Sequence, residues 1–220
     1  MLDIICLTLG DFGVNTYLFA HKNGLCILDP GDKADIIKQK VDYLLQKNNF
    51  SDNEISIVLT HGHLDHVGAV EGLKKFFPNA KVFINSKDKL CLGKNSYNFQ
   101  YQDFARSGMG FYVENMLPDE NDLPEPDILF SDLDFIFEDW QILETPGHTQ
   151  GSSCLYNEKE KILFSGDTLF WNSYGRTDLY GGDEFQMIDS LKKLLSLPDD
   201  VKVFPGHGKY GFTLSDLSFY

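Results

Sequence analysis

A layered α/β or α+β domain is what this sequence predicts. Three observations carry that expectation. Short runs rich in Ile, Val, Leu and Phe recur along the chain. Only a few segments in each half have helical spacing, and glycines stand at the joints between elements. A length of 220 residues fits one domain with a core of its own, and no internal repeat or low-complexity linker divides it.

Strands are expected at residues 3–9, 16–20 and 25–28. A helix follows at 34–46, with Asp32 as N-cap and an apolar stripe of Ile36, Ile37, Val41, Leu44 and Leu45. The continuous apolar run 55–60 reads as a strand covered on both faces. A helix over 67–77, stopped by Pro78, leads to a strand at 81–85. Residues 91–127 show weak periodicity and read as an irregular insertion, rich first in aromatic and then in acidic residues. Between Ser96 and Tyr112, the aromatics Tyr97, Phe99, Tyr101, Phe104, Phe111 and Tyr112 are candidates to line a substrate entrance, although core packing explains each singly. The second half carries strands at 140–144, 152–157, 161–165 and 201–204. Its helix at 184–195 has Asp183 as N-cap and Gln186 in the capping-box position.

Charge narrows the partners. The 33 acids against 19 Lys and Arg give a net charge of −14, and no basic run offers a face to nucleic acid. No Lys or Arg occurs from Ser107 to Glu158, and ten acids lie between Glu114 and Asp139. Without EF-hand spacing, that stretch reads as solvated surface. No apolar run approaches the roughly 18 residues of a membrane span. The start Met1-Leu2-Asp3-Ile4-Ile5-Cys6 has no basic region and carries an acid, unlike a secretory signal. A cytoplasmic monomer or small homo-oligomer acting on a small molecule is the expectation. The four cysteines form no C-x-x-C pair and read as reduced, mostly buried thiols.

The chemistry lies in the histidines. The run 55–60 leads directly into His61-Gly62-His63-Leu64-Asp65-His66. Residues two apart in extended chain point the same way, so His61 and His63 can reach one metal, while Asp65 and His66 face a second point nearby. Gly62 permits a tight turn between them. Four titratable groups crowded behind a buried strand would be costly without a metal. Three later segments repeat the pattern of a strand followed by a polar residue in a Gly-rich turn. They are Thr145-Pro146-Gly147-His148-Thr149-Gln150-Gly151-Ser152, Phe164-Ser165-Gly166-Asp167-Thr168 and Phe204-Pro205-Gly206-His207-Gly208. His21 is left over and reads as an ordinary surface residue.

This set, His61-x-His63-x-Asp65-His66 with His148, Asp167 and His207, resembles the metallo-β-lactamase fold superfamily over roughly Thr8 to Gly208. Its detail looks most like the glyoxalase II-like (hydroxyacylglutathione hydrolase-like) enzymes. The supporting text is Asn15-Thr16-Tyr17, Leu28-Asp29-Pro30-Gly31, Gly147-His148-Thr149-x-Gly151-Ser152, Gly166-Asp167-Thr168-Leu169-Phe170 and Gly206-His207-Gly208. The resemblance implies an αββα sandwich, two mixed sheets flanked by helices, with metals at one edge. It implies a first metal site of His61, His63, His148 and Asp167, and a second of Asp65, His66, His207 and the shared Asp167. Asp29 would support the site from behind, or serve only as a turn residue before Pro30.

The implied reaction is metal-dependent hydrolysis by a hydroxide bridged between two divalent ions, with zinc favoured and iron or manganese as other choices. Asp65 would orient that hydroxide and take its proton. A thiolate departs with little acid help, so a thioester such as S-lactoylglutathione, or a related ester, is the expected substrate. Twelve residues follow Gly208, so the helical glutathione-binding domain of full-length glyoxalase II is not expected. Short bacterial forms share a Gly-Arg-x-Asp segment like Gly175-Arg176-Thr177-Asp178. Arg176 stands where glyoxalase II has a glutathione-contacting Lys and could bind a substrate carboxylate, or it pairs with Asp178 in the loop. The alternative reaction in the same superfamily is persulfide dioxygenation at one iron held by His61, His148 and Asp167.

Overall fold

The computed structural model describes residues 2–117 and 119–218. Strands β1 (Ile4–Leu9), β2 (Val14–His21) and β3 (Gly24–Leu28) open the chain, followed by helix α1 (Ala34–Asn48) and strand β4 (Ile55–Val58). Helices α2 (Leu64–Val67) and α3 (Val70–Phe76), strand β5 (Lys81–Asn85), helices α4 (Ser96–Arg106) and α5 (Gly110–Met116) and strand β6 (Ile128–Phe130) complete the first half. The second half runs through β7 (Phe135–Ile136), β8 (Trp140–Glu144), β9 (Ser153–Asn157), β10 (Ile162–Gly166), β11 (Leu169–Phe170) and β12 (Ser173–Tyr174). Helix α6 (Glu184–Leu195) and strands β13 (Lys202–Pro205) and β14 (Phe212–Thr213) end it.

Two mixed six-stranded sheets result, ordered β1-β2-β3-β4-β5-β6 and β14-β13-β10-β9-β8-β7. Strand alternation sorts the side chains into layers. In β2 to β4, Leu18, Leu25, Ile27, Ile55 and Ile57 join a core with Ile37 and Val41 of α1 and Val70 and Leu73 of α3. Their neighbours Tyr17, Phe19, Cys26, Leu28 and Val58 face the other way, against Trp140, Ile142 and Phe164 of the second sheet. Beyond that sheet, Leu143, Cys154, Leu163 and Val203 pack on Leu194 of α6. The order is helix, sheet, sheet, helix, the expected αββα sandwich.

Several local expectations need correction. Asp32 is not the N-cap of α1. The chain enters that helix through Lys33 at φ 55°, and the Asp32 carboxylate accepts the Lys33 N–H at 2.6 Å instead. Ile36 is 46% exposed, outside the buried stripe of Ile37, Val41 and Leu44. The single helix over 67–77 is two helices, because the Ala69 N–H leaves the ladder for the Pro30 carbonyl at 3.0 Å. The insertion is not irregular but carries α4 and α5. Asp183 caps α6 by accepting the Gln186 N–H at 2.9 Å, but the box is not closed: its own N–H donates to Gly147 O. The acidic run is surface, as expected, and several of its carboxylates cap backbone N–H groups: Asp122 at Asn95, Glu125 at Lys94, Asp127 at Val82 and Asp134 at Ser131. The four cysteines are free. Among the described residues, no helix is long and apolar enough to cross a membrane.

Candidate metal centre

Strands β3 and β4 end flush, with Leu28 opposite Val58. Asp29 and Thr60 therefore leave the sheet side by side, and His61 follows at the carboxyl end of β4. His63 precedes α2, which carries Asp65 and His66. The turn between β8 and β9 brings His148, the end of β10 brings Asp167, and the end of β13 brings His207. Bonds across the two sheets hold these ends together. Asn15 donates its side-chain N–H groups to Pro205 O at 3.1 Å and Gly208 O at 3.0 Å, bracketing His207. Tyr17 OH donates to Pro205 O at 2.7 Å, and Ser153 N–H to Thr60 O at 2.9 Å.

All seven candidate residues converge. Their donor atoms form three overlapping groups, His61/His63/His148, His61/His66/Asp167 and Asp65/His66/His207, each spanning no more than 4.8 Å. Asp167 lies between the ends of the cluster. Its Oδ1 is 3.3 Å from His66 Nε2, and its Oδ2 is 3.6 Å from His148 Nε2 and 3.5 Å from His207 Nε2. At the second point, Asp65 Oδ2 is 3.3 Å from His207 Nε2 and 3.7 Å from His66 Nε2. His61, His63, His66 and His148 are buried.

Four of the five rings are held from behind by their other nitrogen, the arrangement that orients metal-binding imidazoles. Thr60 Oγ1 lies 3.1 Å from His61 Nδ1, and Asp29 Oδ2 lies 3.1 Å from His66 Nδ1. Arg176 O accepts from His148 Nδ1 at 2.7 Å, and Phe12 O from His207 Nδ1 at 3.0 Å. The inward atoms face one another or nothing. His61 Nε2 and Asp167 Oδ1 are buried with no hydrogen bond, and His63 Nδ1 faces His148 Nε2 at only 2.8 Å. Unpartnered buried polar atoms aimed at one point fit a bound cation.

The protonation states fit as well. Burial, and then the neighbouring imidazoles, push His61 well below its ordinary value, and His148 is lowered to about 4 for the same reasons. Both offer free lone pairs at neutral pH. Burial alone would raise Asp65 and Asp167, but the adjacent histidines outweigh it and keep both carboxylates ionised.

Other expectations change. Gly62 has no unusual φ; what the site requires is its missing side chain, since a Cβ there would lie 2.3 Å from Cys91 Sγ. Gly206 is similar, with a Cβ falling 2.2 Å from Asp167 Oδ1 and 2.7 Å from His66 Cε1. His21 stands apart from the site but is half-buried, stacked on Phe137 at 3.8 Å. Arg176 makes the ion pair that one of its two readings expects. It pairs with Asp178 through two bonds of 2.7 Å, and it lines a cavity of about 380 Å³ beside His63, Asp65, His148, Asp167 and His207. Phe12, Phe104, Met109 and Leu179 supply the apolar walls, so Phe104 is the one aromatic of the six candidates that reaches this cavity. Sequence reasoning missed Asp88, whose buried carboxylate accepts from Gly62 N, Gly151 N and Thr149 Oγ1 and so ties two site turns together. It also missed Gln100 and Asp103 of α4, which touch the His61–His66 turn.

Comparison with known proteins identifies the family. The family model described as the metallo-beta-lactamase superfamily matches residues 9–207, and the chain belongs to that superfamily. Hydroxyacylglutathione hydrolase GloC of Haemophilus influenzae is 37% identical over 197 residues, covering 88% of this chain and 84% of the relative. The crystal structure of TTHA1623 in a di-iron-bound form superposes with a TM-score of 0.72 at 33% identity, covering 96% of each chain. The BLEG-1 B3 metallo-beta-lactamase gives 0.76 at 29% identity, covering 97% of this chain and 95% of the other.

Proposed function

We propose that this metal-dependent hydrolase of the metallo-β-lactamase fold cleaves a thioester or related ester, with an S-acylglutathione such as S-lactoylglutathione as reference substrate. One divalent ion would be held by His61, His63, His148 and Asp167, and a second by Asp65, His66, His207 and the shared Asp167. The observation that carries the reading is the set of three overlapping donor groups whose inward atoms have no other partner. Such ions bring the pKa of bound water towards about 7 and polarise a carbonyl oxygen.

The chain's own residues do the rest. Asp65 lines the cavity, and its ionised carboxylate is the proton acceptor for the attacking water. Phe12, Phe104, Met109 and Leu179 limit bulk water around the acyl group. Arg176 stands at the same cavity as a cation for a substrate carboxylate. The described lining contains no Ser, Thr or Cys, so no hydroxyl or thiol nucleophile is at hand. Departure of a thiolate asks little of a general acid, which favours the thioester. The kinship with GloC supports the same substrate class.

Elemental analysis of protein purified without added metal or chelator is the first test. Two ions per chain, with faster turnover of S-acylglutathiones than of β-lactams, is the expected result. Close to one iron per chain, with oxygen consumed alongside a glutathione persulfide, would replace this reading by the dioxygenase. Faster β-lactam turnover would overturn the substrate class.

A further inference from the structure

Gln100, Asp103 and Phe104 share one face of α4, three and four residues apart, and all three are buried. That face meets the His61–His66 turn. Gln100 Nε2 donates to Gly62 O at 2.6 Å and to Cys91 O at 3.2 Å. Phe104 sets its ring nearly perpendicular to His63, at 88° with centroids 6.3 Å apart. Asp103 Oδ2 lies 3.4 Å from His63 Nε2, while its Oδ1 accepts the Tyr180 N–H at 2.9 Å.

We infer that α4 is the element that orients His63 for metal binding, and that Asp103 is the positioning residue that sets its tautomer. The inference rests on His63 being a metal ligand, as proposed above. His63 Nδ1 points into the donor group, towards His148 Nε2. A coordinating nitrogen is unprotonated, so the ring proton belongs on Nε2. Nε2 is buried, forms no hydrogen bond of good geometry, and has the Asp103 carboxylate at ion-pair distance. That carboxylate is the acceptor an Nε2–H requires. The other four rings are held by Thr60, Asp29, Arg176 and Phe12, all outside the insertion. His63 is held from within it. Through Tyr180, Asp103 is also tied to the loop whose Arg176 carbonyl holds His148. One carboxylate thus links the supports of two rings whose nitrogens lie 2.8 Å apart.

Asp103→Asn tests this. If its Oδ1 keeps the Tyr180 bond, its amide N–H turns towards His63 Nε2 and favours a proton on Nδ1. Zinc competition against a chromophoric chelator should show about 10–100-fold weaker binding of one of two ions. In the zinc-loaded protein the His63 Nε2–H should carry the downfield proton shift of a carboxylate-bound imidazole, and Asp103→Asn should lose it. Asp103→Glu, which keeps the charge, should recover part of the affinity, and Gln102→Ala on the outer face of α4 should leave it unchanged. A purely structural Asp103 would lower the melting temperature and move neither readout, and that result overturns the inference. If Asp103→Asn does not fold, Asp103→Ser with unaltered zinc affinity overturns it equally. A wild-type chain that binds no zinc sinks the ligand reading itself. Two ions bound with equal affinity by wild type and variant sink only the role of Asp103.

Discussion

Asp29 Oδ2 sits 3.1 Å from His66 Nδ1 at the flush ends of two parallel strands. The same carboxylate accepts Thr60 N–H and Thr60 Oγ1–H, each at 2.7 Å. One side chain therefore closes the end of β4 and aims a fully buried imidazole. Asp29→Ala should destabilise the metal-free protein by about 2–4 kcal/mol, because it leaves buried donors unpaired. Metal affinity should fall as well, about 10–100-fold. Urea unfolding and chelator competition measure the two effects. Wild-type values in both would reduce Asp29 to a turn residue.

Asp65 and Asp167 should separate by role. Asp167→Ala removes the carboxylate that lies between the donor groups, so both ions should weaken and turnover should vanish. Asp65→Asn should lower kcat by about 10²–10⁴-fold while the ion near His61, His63 and His148 stays bound. Metal content and steady-state kinetics on the same preparations decide it. Normal hydrolysis by Asp167→Ala would sink the site assignment.

Metal uptake should release protons. Burial opposes a charged His66, but the carboxylates of Asp167, Asp65 and Asp29 outweigh it and raise its pKa well above 6.5. The metal-free chain thus carries a proton there at neutral pH. That charge cluster contributes stability in full below the unfolded histidine value of about 6.5 and loses it as pH rises through the raised one. Metal affinity has the opposite sense and should rise with pH, since the proton must leave. Calorimetry in buffers of different ionisation enthalpy reads the release, and no release at pH 7 would contradict it. Stripping ions present at 100 times their dissociation constants should cost about 2.7 kcal/mol of stability for each ion.

Arg176→Ala should raise KM severalfold for an anionic thioester and leave kcat nearly unchanged. An uncharged thioester should show no such rise. Stability should move by no more than about 1 kcal/mol, because the pair with Asp178 is exposed. A fall in kcat with constant KM would assign Arg176 a different role.

The candidate donor residues were legible because most stand in a short polar turn after a strand, such as His61 after β4, Asp167 after β10 and His207 after β13. The layers were legible too, since β3 is apolar on both faces and β2 and β4 are largely so. Helix α4 was not. Its buried positions include Ser96, Gln100 and Asp103, while Tyr101 is exposed, so its polar pattern runs inside out. A helix that buries hydrogen-bonding groups for a site has no apolar stripe to betray it. The break between α2 and α3 depends on a bond from Ala69 to Pro30, nearly forty positions apart, which local spacing does not encode. Strands β7, β11, β12 and β14 have two residues each, too few to show alternation.

Each donor group draws on both sheets. His61, His63, Asp65 and His66 follow β4 in the first, while His148, Asp167 and His207 hang from the second. An ion in any group is therefore a rivet through the seam between two halves of the sandwich. Neither half can come loose without discarding its ion, so a loaded chain should melt as one unit where a stripped chain is free to open at that edge first.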